Sequence, residues 1–143
     1  MFWQLVFTMK DCLFCKIVAG NVPSYKLTEG SQTFAFLDIF PVSKGHSLII
    51  TKRHVEDLRD LTAEEWVEVG RLTQSIGNAL QKGVKADGFS LLLRNGKAAG
   101  QEVPHVHFHL IPRFHGDALE EWHGKKAEKT ELEKNLRSAK KFL

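Results

Sequence analysis

Three histidines, His105, His107 and His109, alternate with apolar residues near the end of the chain's central region. Residues two positions apart on a β-strand point to the same face, so the pattern predicts a row of imidazoles about 6–7 Å apart. Neighbouring imidazoles repel each other when protonated, so we expect at least one to stay neutral near pH 7. A neutral imidazole is a nucleophile, a base or a metal ligand. The row therefore indicates chemistry rather than packing alone.

The segment before this row, residues 94–101 (RNGKAAGQ), contains two glycines among small and polar residues. Such a loop lets backbone N–H groups approach an anion closely. Hairpin loops have the same composition, so the loop alone is weak support for a function. Beside the histidine row, it predicts a phosphate held against a nucleophile.

The two cysteines of the chain, Cys12 and Cys15, are three positions apart. This spacing can bring two thiolates to one metal ion, and two cysteines are too few for a disulfide framework. An inert buried pair and a redox pair are the alternatives, although no thioredoxin-like βαβ pattern surrounds them. The residues alone leave these interpretations open.

The elements that must position these residues are a sheet and one long helix. Thr62 and Glu65 form a capping-box pattern at the start of a helix that we expect to stop near Gly83. Its apolar face recurs every three or four residues. We predict strands at 32–38, 46–52, 88–95 and 105–111, a short helix at 12–19, and a tail helix with a narrow apolar stripe. Antiparallel strand pairs with one long helix indicate an α+β domain.

The length of 143 residues suits one domain, and 43% hydrophobic with 26% charged residues excludes a mainly disordered chain. No apolar stretch approaches the ~18 residues that a membrane span needs, so we expect no membrane association. The net charge of +3 lies in the tail, where residues 125–143 hold seven basic and three acidic residues. We interpret this tail as a solvated amphipathic helix, so a nucleic-acid partner is not expected, although the tail leaves one open.

The first residues are apolar but have neither basic residues ahead of them nor a small-residue cleavage site after them. They make a poor signal peptide, so we expect an N-terminal extension on a cytoplasmic protein. The extension would pack as an edge strand or as a docked arm. Met1 and Met9 are both candidate translation starts.

From Cys12 to about Arg113, the chain resembles the histidine triad (HIT) family of nucleotide hydrolases and transferases. The family motif of three alternating histidines is matched by residues 105–111 (HVHFHLI), and further likeness lies in residues 34–58 and 98–113. The resemblance implies the HIT fold, an antiparallel sheet of about five strands with one long helix and short N-terminal and C-terminal helices. It divides the chain into an extension (1–11), a HIT domain (12–115) and a basic helical tail (116–143).

The resemblance implies that His107 attacks the α-phosphorus of a nucleotide and forms a nucleotidyl-histidine that water hydrolyses. His109 would donate a hydrogen bond to a phosphoryl or leaving-group oxygen, and His46 would orient or polarise the site. Backbone N–H groups at Gly100 and Gln101 would stabilise developing charge.

The same resemblance implies a nucleoside pocket in which the carboxylate of Asp38 binds the ribose hydroxyls. The remaining nucleotide-binding positions are Phe14, Ile17, Phe36, Ile39, Asn95, Gly100 and Gln101. Two positions depart from the family pattern. Arg94 stands where relatives often have an amide, and Glu102 stands where a Ser or Thr often donates.

For the metal, the resemblance implies that His54 and His105 join Cys12 and Cys15 in a structural zinc site. The implied activity is release of a nucleoside monophosphate, chiefly AMP, from an α-phosphate-linked group, as in an adenosine phosphoramidase. A diadenosine polyphosphate hydrolase and a nucleotide sensor or scaffold with little turnover are the alternatives. The implied partners are a purine nucleotide and a second copy of the chain in a homodimer.

Overall fold

The structure is a computed structural model that describes residues 11–119 and 123–143. The expected N-terminal extension lies outside these residues, except for Asp11. The strands are β1 (Tyr25–Glu29), β2 (Thr33–Leu37), β3 (Ser47–Thr51), β4 (Gly88–Leu93) and β5 (His107–Arg113). The helices are α1 (Leu13–Val18), α2 (Ala63–Val84) and α3 (Lys129–Lys140), with 3-10 turns at Leu58–Asp60 and Lys97–Ala99.

The five strands form one antiparallel sheet in the order β1-β2-β3-β5-β4. The α+β class is thus confirmed, and the sheet has the five antiparallel strands that the resemblance implies. Strand β1 was not among the strands predicted from local pattern, because four of its five residues are exposed and show no alternation. It lies at the sheet edge, where only one neighbouring strand constrains its side chains.

Helix α2 begins with the predicted capping box. The Thr62 hydroxyl accepts from the Glu65 N–H at 3.1 Å, and the Glu65 carboxylate accepts from the Thr62 N–H at 2.9 Å. The helix continues one residue beyond the expected stop at Gly83, to Val84. It ends at Lys85, whose φ of 61° is left-handed and breaks the helical hydrogen-bond ladder without a glycine.

The sheet is covered on both faces. Helix α2 packs on one face against a core that contains Ile49, Phe108 and Leu110. Helix α1 packs on the opposite face, where Phe14 and Ile17 join a second core with the following members: Cys12, Phe34, Phe36, Leu48 and Ile50. His107 pairs with Ile50, so the triad strand presents its histidines on the α1 face.

The prediction that all three histidines share one strand is wrong for His105. Strand β5 runs from His107 to Arg113, two residues later than predicted at each end. Before it, Pro104 has no N–H for a strand ladder, and the His105 N–H closes a turn onto the Val103 carbonyl at 2.8 Å. This turn aims His105 toward α1 instead of along the strand.

The C-terminal tail contains the predicted helix, α3, and all of its residues are exposed. Leu132 and Leu136, two residues of the apolar stripe, are 57% and 53% exposed. None of the helices in the described ranges is both long and apolar enough to cross a membrane.

Candidate active site and metal centre

A cavity of about 570 Å³ opens between α1, the loop after β2 and the histidine face of β5. This volume lies in the range of small-molecule sites. Nine of the predicted site residues line it: Phe14, Ile17, Phe36, Asp38, Ile39, His46, Gly100, His107 and His109. Residues from α1, β2, β3 and β5 therefore meet in a single pocket.

His107 is held in one tautomer by its own chain. Its Nδ1 lies 2.7 Å from the His105 carbonyl oxygen, which can only accept, so Nδ1 carries the proton. The other ring nitrogen, Nε2, therefore has a free lone pair. The Phe14 ring packs edge-on against His107 at a centroid distance of 5.1 Å and fixes the plane of the imidazole. This is the arrangement that a nitrogen nucleophile needs.

His46 and His109 are held in the opposite tautomer to His107, with the proton on Nε2. The Val42 N–H donates to His46 Nδ1 at 3.1 Å, so the proton of the His46 ring lies on Nε2. This Nε2 is 2.9 Å from His109 Nδ1, which must accept. The proton of His109 then lies on its Nε2. The pocket thus combines a ring that offers a lone pair, His107, with a ring that offers an N–H, His109.

Burial keeps these three imidazoles neutral. It lowers the pKa of His46 despite the nearby Asp38 carboxylate, and it lowers the pKa of His107 despite a hydrogen bond to the chain. For His109, burial followed by the charges of the two neighbouring histidines lowers the pKa to about 4. All three rings are therefore uncharged near pH 7, and the lone pair of His107 is available.

The Asp38 carboxylate lies at the side of the pocket where β2 ends. One oxygen accepts from the Phe40 N–H at 2.8 Å, and the other lies 3.6 Å from His46 Nε2. Each oxygen has a second lone pair, so the group can still accept from ligand hydroxyls.

The apolar side of the pocket is built by α1 and β2. The rings of Phe14 and Phe36 meet edge to face at 5.8 Å, and both are buried. Ile17 is buried beside them, whereas Ile39 is 67% exposed at the rim. These side chains form an apolar wall against which an aromatic ring can pack.

Two predicted contacts point away from the pocket. The Asn95 side-chain oxygen accepts from the Leu58 N–H at 2.8 Å, and the Gln101 side chain bonds only to backbone groups, at Gly96, Glu56 and Val103. These side chains fasten the 95–101 loop to the chain. Neither residue lines the pocket, so the structure does not bring these two predicted nucleotide-binding side chains to it.

The two backbone N–H groups predicted to bind an anion already have partners within the chain. The Gly100 N–H donates to the Lys97 carbonyl at 2.9 Å, and the Gln101 N–H donates to the Gly96 carbonyl at 3.1 Å. The 3-10 turn of this loop thus uses both hydrogens internally, although Gly100 itself lines the pocket.

The four predicted metal ligands come together beside α1 and are not part of the cavity lining. The four candidate ligand atoms lie within 4.8 Å of one another: Cys12 Sγ, Cys15 Sγ, His54 Nδ1 and His105 Nδ1. Three sulfur–nitrogen distances are 3.3, 3.4 and 3.6 Å. Tetrahedral Zn²⁺ with bonds of about 2.3 Å to sulfur and 2.0–2.1 Å to nitrogen separates such ligands by about 3.5 Å. The set fits zinc.

Two further contacts prepare the histidines as ligands. His105 Nε2 donates to the Thr51 carbonyl at 2.7 Å, which leaves the Nδ1 lone pair facing the cysteines. His54 Nε2 lies 3.3 Å from a Glu56 carboxylate oxygen. The sequence analysis missed both partners. The Thr51 carbonyl could not be recognised, because a backbone group leaves no signal in the sequence. The Glu56 carboxylate could have been, since it lies only two residues after His54.

The raised pKa of Cys15 also favours a bound cation at this site. Burial, followed by the neighbouring Cys12, raises the pKa of the Cys15 thiol to about 12. The thiolate that ligates a metal therefore needs a positive charge beside it, as a bound divalent ion provides.

Comparison with known proteins agrees with this geometry. The family model described as HIT domain matches residues 19–116, so the chain belongs to the HIT family. Adenosine 5'-monophosphoramidase HNT1 of Saccharomyces cerevisiae is 46% identical over 102 residues, which cover 71% of this chain and 62% of that protein. The chain thus spans less than two thirds of the length of this yeast relative.

Solved structures show the same fold. A crystal structure from Streptococcus mutans has a TM-score of 0.85 and 40% identity, covering 92% of this chain and 84% of its own. A Zn-bound histidine triad family protein from Mycobacterium smegmatis has a TM-score of 0.74 and 36% identity, covering 92% and 94%.

Proposed function

We propose that this chain is a nucleotide hydrolase that releases a nucleoside monophosphate, chiefly AMP, from a group linked to its α-phosphate. Adenosine phosphoramidates are the proposed substrate class. The complementary tautomers of His107 and His109 carry the proposal, because they place a lone pair and an N–H side by side in a pocket of nucleotide size. The name of the yeast relative, a monophosphoramidase, supports it.

In this mechanism His107 Nε2 attacks the α-phosphorus, a P–N bond to His107 forms, and the bond to the leaving group breaks while an amine leaving group takes a proton from solvent. The water that attacks in the second step returns that proton to solvent. The His109 N–H stabilises a phosphoryl oxygen as negative charge develops on it. Water then cleaves the nucleotidyl-histidine, and His107 returns to its neutral state. The nucleophile needs no separate base, since burial already keeps the ring neutral.

The nucleoside would occupy the other end of the pocket. The free lone pairs of Asp38 suit the two ribose hydroxyls, and the apolar wall formed by Phe14, Ile17 and Phe36 suits the base. A purine is preferred to a pyrimidine on this wall because its two rings cover more apolar surface.

We propose a structural zinc ion held by Cys12, Cys15, His54 and His105. All four positions would be protein ligands, so no position is left for substrate. When bound, the ion joins α1 to the chain just before β5 and keeps His105 in place, and the carbonyl of His105 holds His107.

The active form is proposed to be a homodimer in the cytoplasm. Strand β4 lies at a sheet edge, and its Phe89 and Leu91 side chains are 38% and 53% exposed. A second copy pairing at this edge would continue the sheet and cover these residues. Sedimentation of the wild-type chain measures the state directly, and a monomer at micromolar concentration would contradict the proposal.

Replacement of the nucleophile tests the activity. We expect His107→Asn to lose turnover of adenosine 5'-phosphoramidate while it still binds AMP, because only the attacking nitrogen is lost. His115→Asn is a matched control, since His115 has a 94% exposed side chain outside the pocket. Mass spectrometry of wild-type enzyme quenched at alkaline pH should find AMP on His107, because the P–N bond of a nucleotidyl-histidine hydrolyses in acid. Unchanged turnover in His107→Asn would refute the covalent mechanism.

A substrate panel separates the remaining functions. Faster cleavage of diadenosine tri- or tetraphosphate than of the phosphoramidate would make the chain a dinucleoside polyphosphate hydrolase. Binding of AMP with no cleavage of any member would make it a sensor or scaffold. Each outcome would replace the proposed activity.

A further inference from the structure

Helix α3 (Lys129–Lys140) carries an apolar stripe that is exposed to solvent. Its members are spaced by four, three and four residues: Leu132, Leu136, Ala139 and Leu143. Turn hydrogen bonds beyond the end of the helix continue the same winding to Leu143. Leu132 and Leu136 are more than half exposed, and neither of the two cores in the described residues includes a residue of α3. The stripe is therefore available to a partner.

A helix as short as α3 depends on such a partner. Isolated helices shorter than about 12–15 residues are marginal in water, and most helical stability in proteins comes from packing of the apolar face. The N-cap residue, Glu128, makes no side-chain hydrogen bond that would strengthen the first turn. The exposed ion pair of Lys129 and Glu133, at 3.7 Å, contributes little. We therefore expect the stripe to be covered in solution.

The spacing of the stripe indicates that a second helix covers it. Alternate steps of four and three residues are those of a coiled-coil seam. In heptad notation the stripe occupies the following positions: Leu132 (d), Leu136 (a), Ala139 (d) and Leu143 (a). A helix that packs on a globular core has a wider apolar face, with roughly three to four apolar residues in every two turns. The narrow seam of α3 fits another helix better than a sheet.

The charged residues beside the stripe determine how two such helices align. In an antiparallel pair, the e positions of the two helices face each other. Glu133 then lies beside Lys140 of the second copy, and the two-fold symmetry of the pair repeats this attractive contact. In a parallel pair, Glu133 would lie beside Glu128 of the second copy, and such like charges destabilise a contact. The charges therefore favour the antiparallel pair.

A negatively charged surface fits α3 less well than a second helix does. At about 3.6 residues per turn, three basic residues lie on the face opposite the stripe: Lys134, Arg137 and Lys141. The acidic residues of the tail lie closer to the stripe than these three: Glu128, Glu131 and Glu133. An anionic membrane that takes up the leucines would meet the carboxylates before it meets these three cations.

We infer that α3 is an interaction surface for α3 of a second copy of this chain, packed antiparallel through the leucine stripe. The contact goes beyond the proposed nucleotide chemistry, and it is separate from the proposed contact at β4. A seam of two heptads binds weakly by itself, so any other contact between the same two chains strengthens the pairing by raising its effective concentration.

Spin labels on the polar side of α3 measure this pairing directly in the full-length, zinc-loaded chain. A label on Ser138→Cys should give a short distance between two copies, because Ser138 lies at the centre of the antiparallel pair. Labels on Thr130→Cys should lie about 22 Å farther apart along the helix axis, since the two sites are about 15 residues apart at about 1.5 Å per residue. The chain without an added cysteine gives the background from Cys12 and Cys15.

Charge reversal tests the specific contact between the two helices. Glu133→Lys and Lys140→Glu should each weaken the pairing about fivefold or more, because each substitution creates two like-charge contacts. The double variant with both substitutions should restore the short distance at position 138. Lys134→Glu makes the same charge change on the opposite face of α3 and should leave the distance unchanged.

Four outcomes would overturn the inference. They are equal distances at the two label positions, stronger pairing in Glu133→Lys, no rescue by the double variant, and no short distance at all, whether the tail then binds anionic vesicles, RNA or neither. The first two would show a parallel pair. The proposed function is tested separately, because no residue of α3 lines the nucleotide pocket and turnover should be the same in every one of these variants.

Discussion

Removal of the metal from the cysteine–histidine centre should release α1 and weaken nucleotide binding. Helix α1 contains six residues, Leu13–Val18, and helices of this length are not stable alone. Its hold on the sheet comes from two buried side chains, Phe14 and Ile17, and from the cysteines at its start. Because Phe14 and Ile17 also line the pocket, the position of α1 determines the shape of the apolar wall that would contact the base.

The magnitudes show why the metal matters. Phe14 and Ile17 are 5% and 7% exposed, and burial of two such side chains contributes about 3–6 kcal/mol. Ordering the backbone of a six-residue helix costs about 6–12 kcal/mol at roughly 1–2 kcal/mol per residue. Apolar contacts alone therefore at best balance this cost, and the shortfall of up to about 9 kcal/mol is smaller than the about 10–16 kcal/mol that structural zinc sites supply.

The assay compares three states of the full-length chain: as purified, after chelation, and after zinc is restored. Purified protein should hold about one zinc per chain. After chelation, amide exchange in residues 13–18 should become fast, and the Kd for AMP should rise by about tenfold or more because loss of one buried aromatic contact costs at least about 1.4 kcal/mol. Restored zinc should reverse both changes in the wild type but not in Cys15→Ser.

Two results would refute this reasoning. One is purified protein with far less than one zinc per chain. The other is metal-free protein in which α1 keeps its amide protection and AMP its affinity, since α1 would then be held by apolar contacts after all.

Three further predictions follow from contacts around the site. Because burial lowers the pKa of His107, the acid limb of kcat/KM should lie below the ordinary histidine value of about 6.5. An acid limb at or above pH 6.5 would contradict this assignment. The same shift affects stability, because His107 binds a proton at higher pH in the unfolded chain than in the folded one. The contribution of His107 to the free energy of unfolding should therefore be complete above pH 6.5 and decrease as the pH falls below it. His46→Ala should lower kcat by about 100-fold or more with a smaller change in KM, since His109 loses the donor that fixes its tautomer, and an unchanged kcat would exclude that role. Arg53→Ala should destabilise the fold by about 3 kcal/mol in urea unfolding, because the 1% exposed Glu65 carboxylate loses its cation, whereas surface Arg59→Ala should change stability by less than about 1 kcal/mol.

Local patterns were sufficient for features that depend on neighbours in the chain. The capping box of Thr62 and Glu65 needs only residues three apart, and both of its hydrogen bonds are present. The alternation of His107 and His109 with Phe108 and Leu110 predicts the two faces of β5 correctly. By contrast, β1 at the edge of the sheet has no such pattern, and only its pairing with β2 defines it.

The same local reasoning misplaced residues in loops. Asn95 and Gln101 have side chains that suit a phosphate, but loop closure turns them onto backbone groups instead. Composition alone does not reveal this, because the chain's own N–H and C=O groups compete with a ligand for the same hydrogen bonds. The neighbouring Arg94 reaches the pocket because no such partner takes its side chain within the described ranges.

The sequence by itself determined the class of fold, the family and the kinds of side chain that are available for chemistry. Only the tertiary structure decided which nitrogen of each histidine is free. That choice depends on Val42, His46 and the His105 carbonyl, which approach the rings from different segments. A neutral imidazole has two tautomers of similar energy in water, so the partner that the fold supplies selects between them. In this protein, the fold leaves a lone pair on His107 Nε2 and an N–H on His109 Nε2.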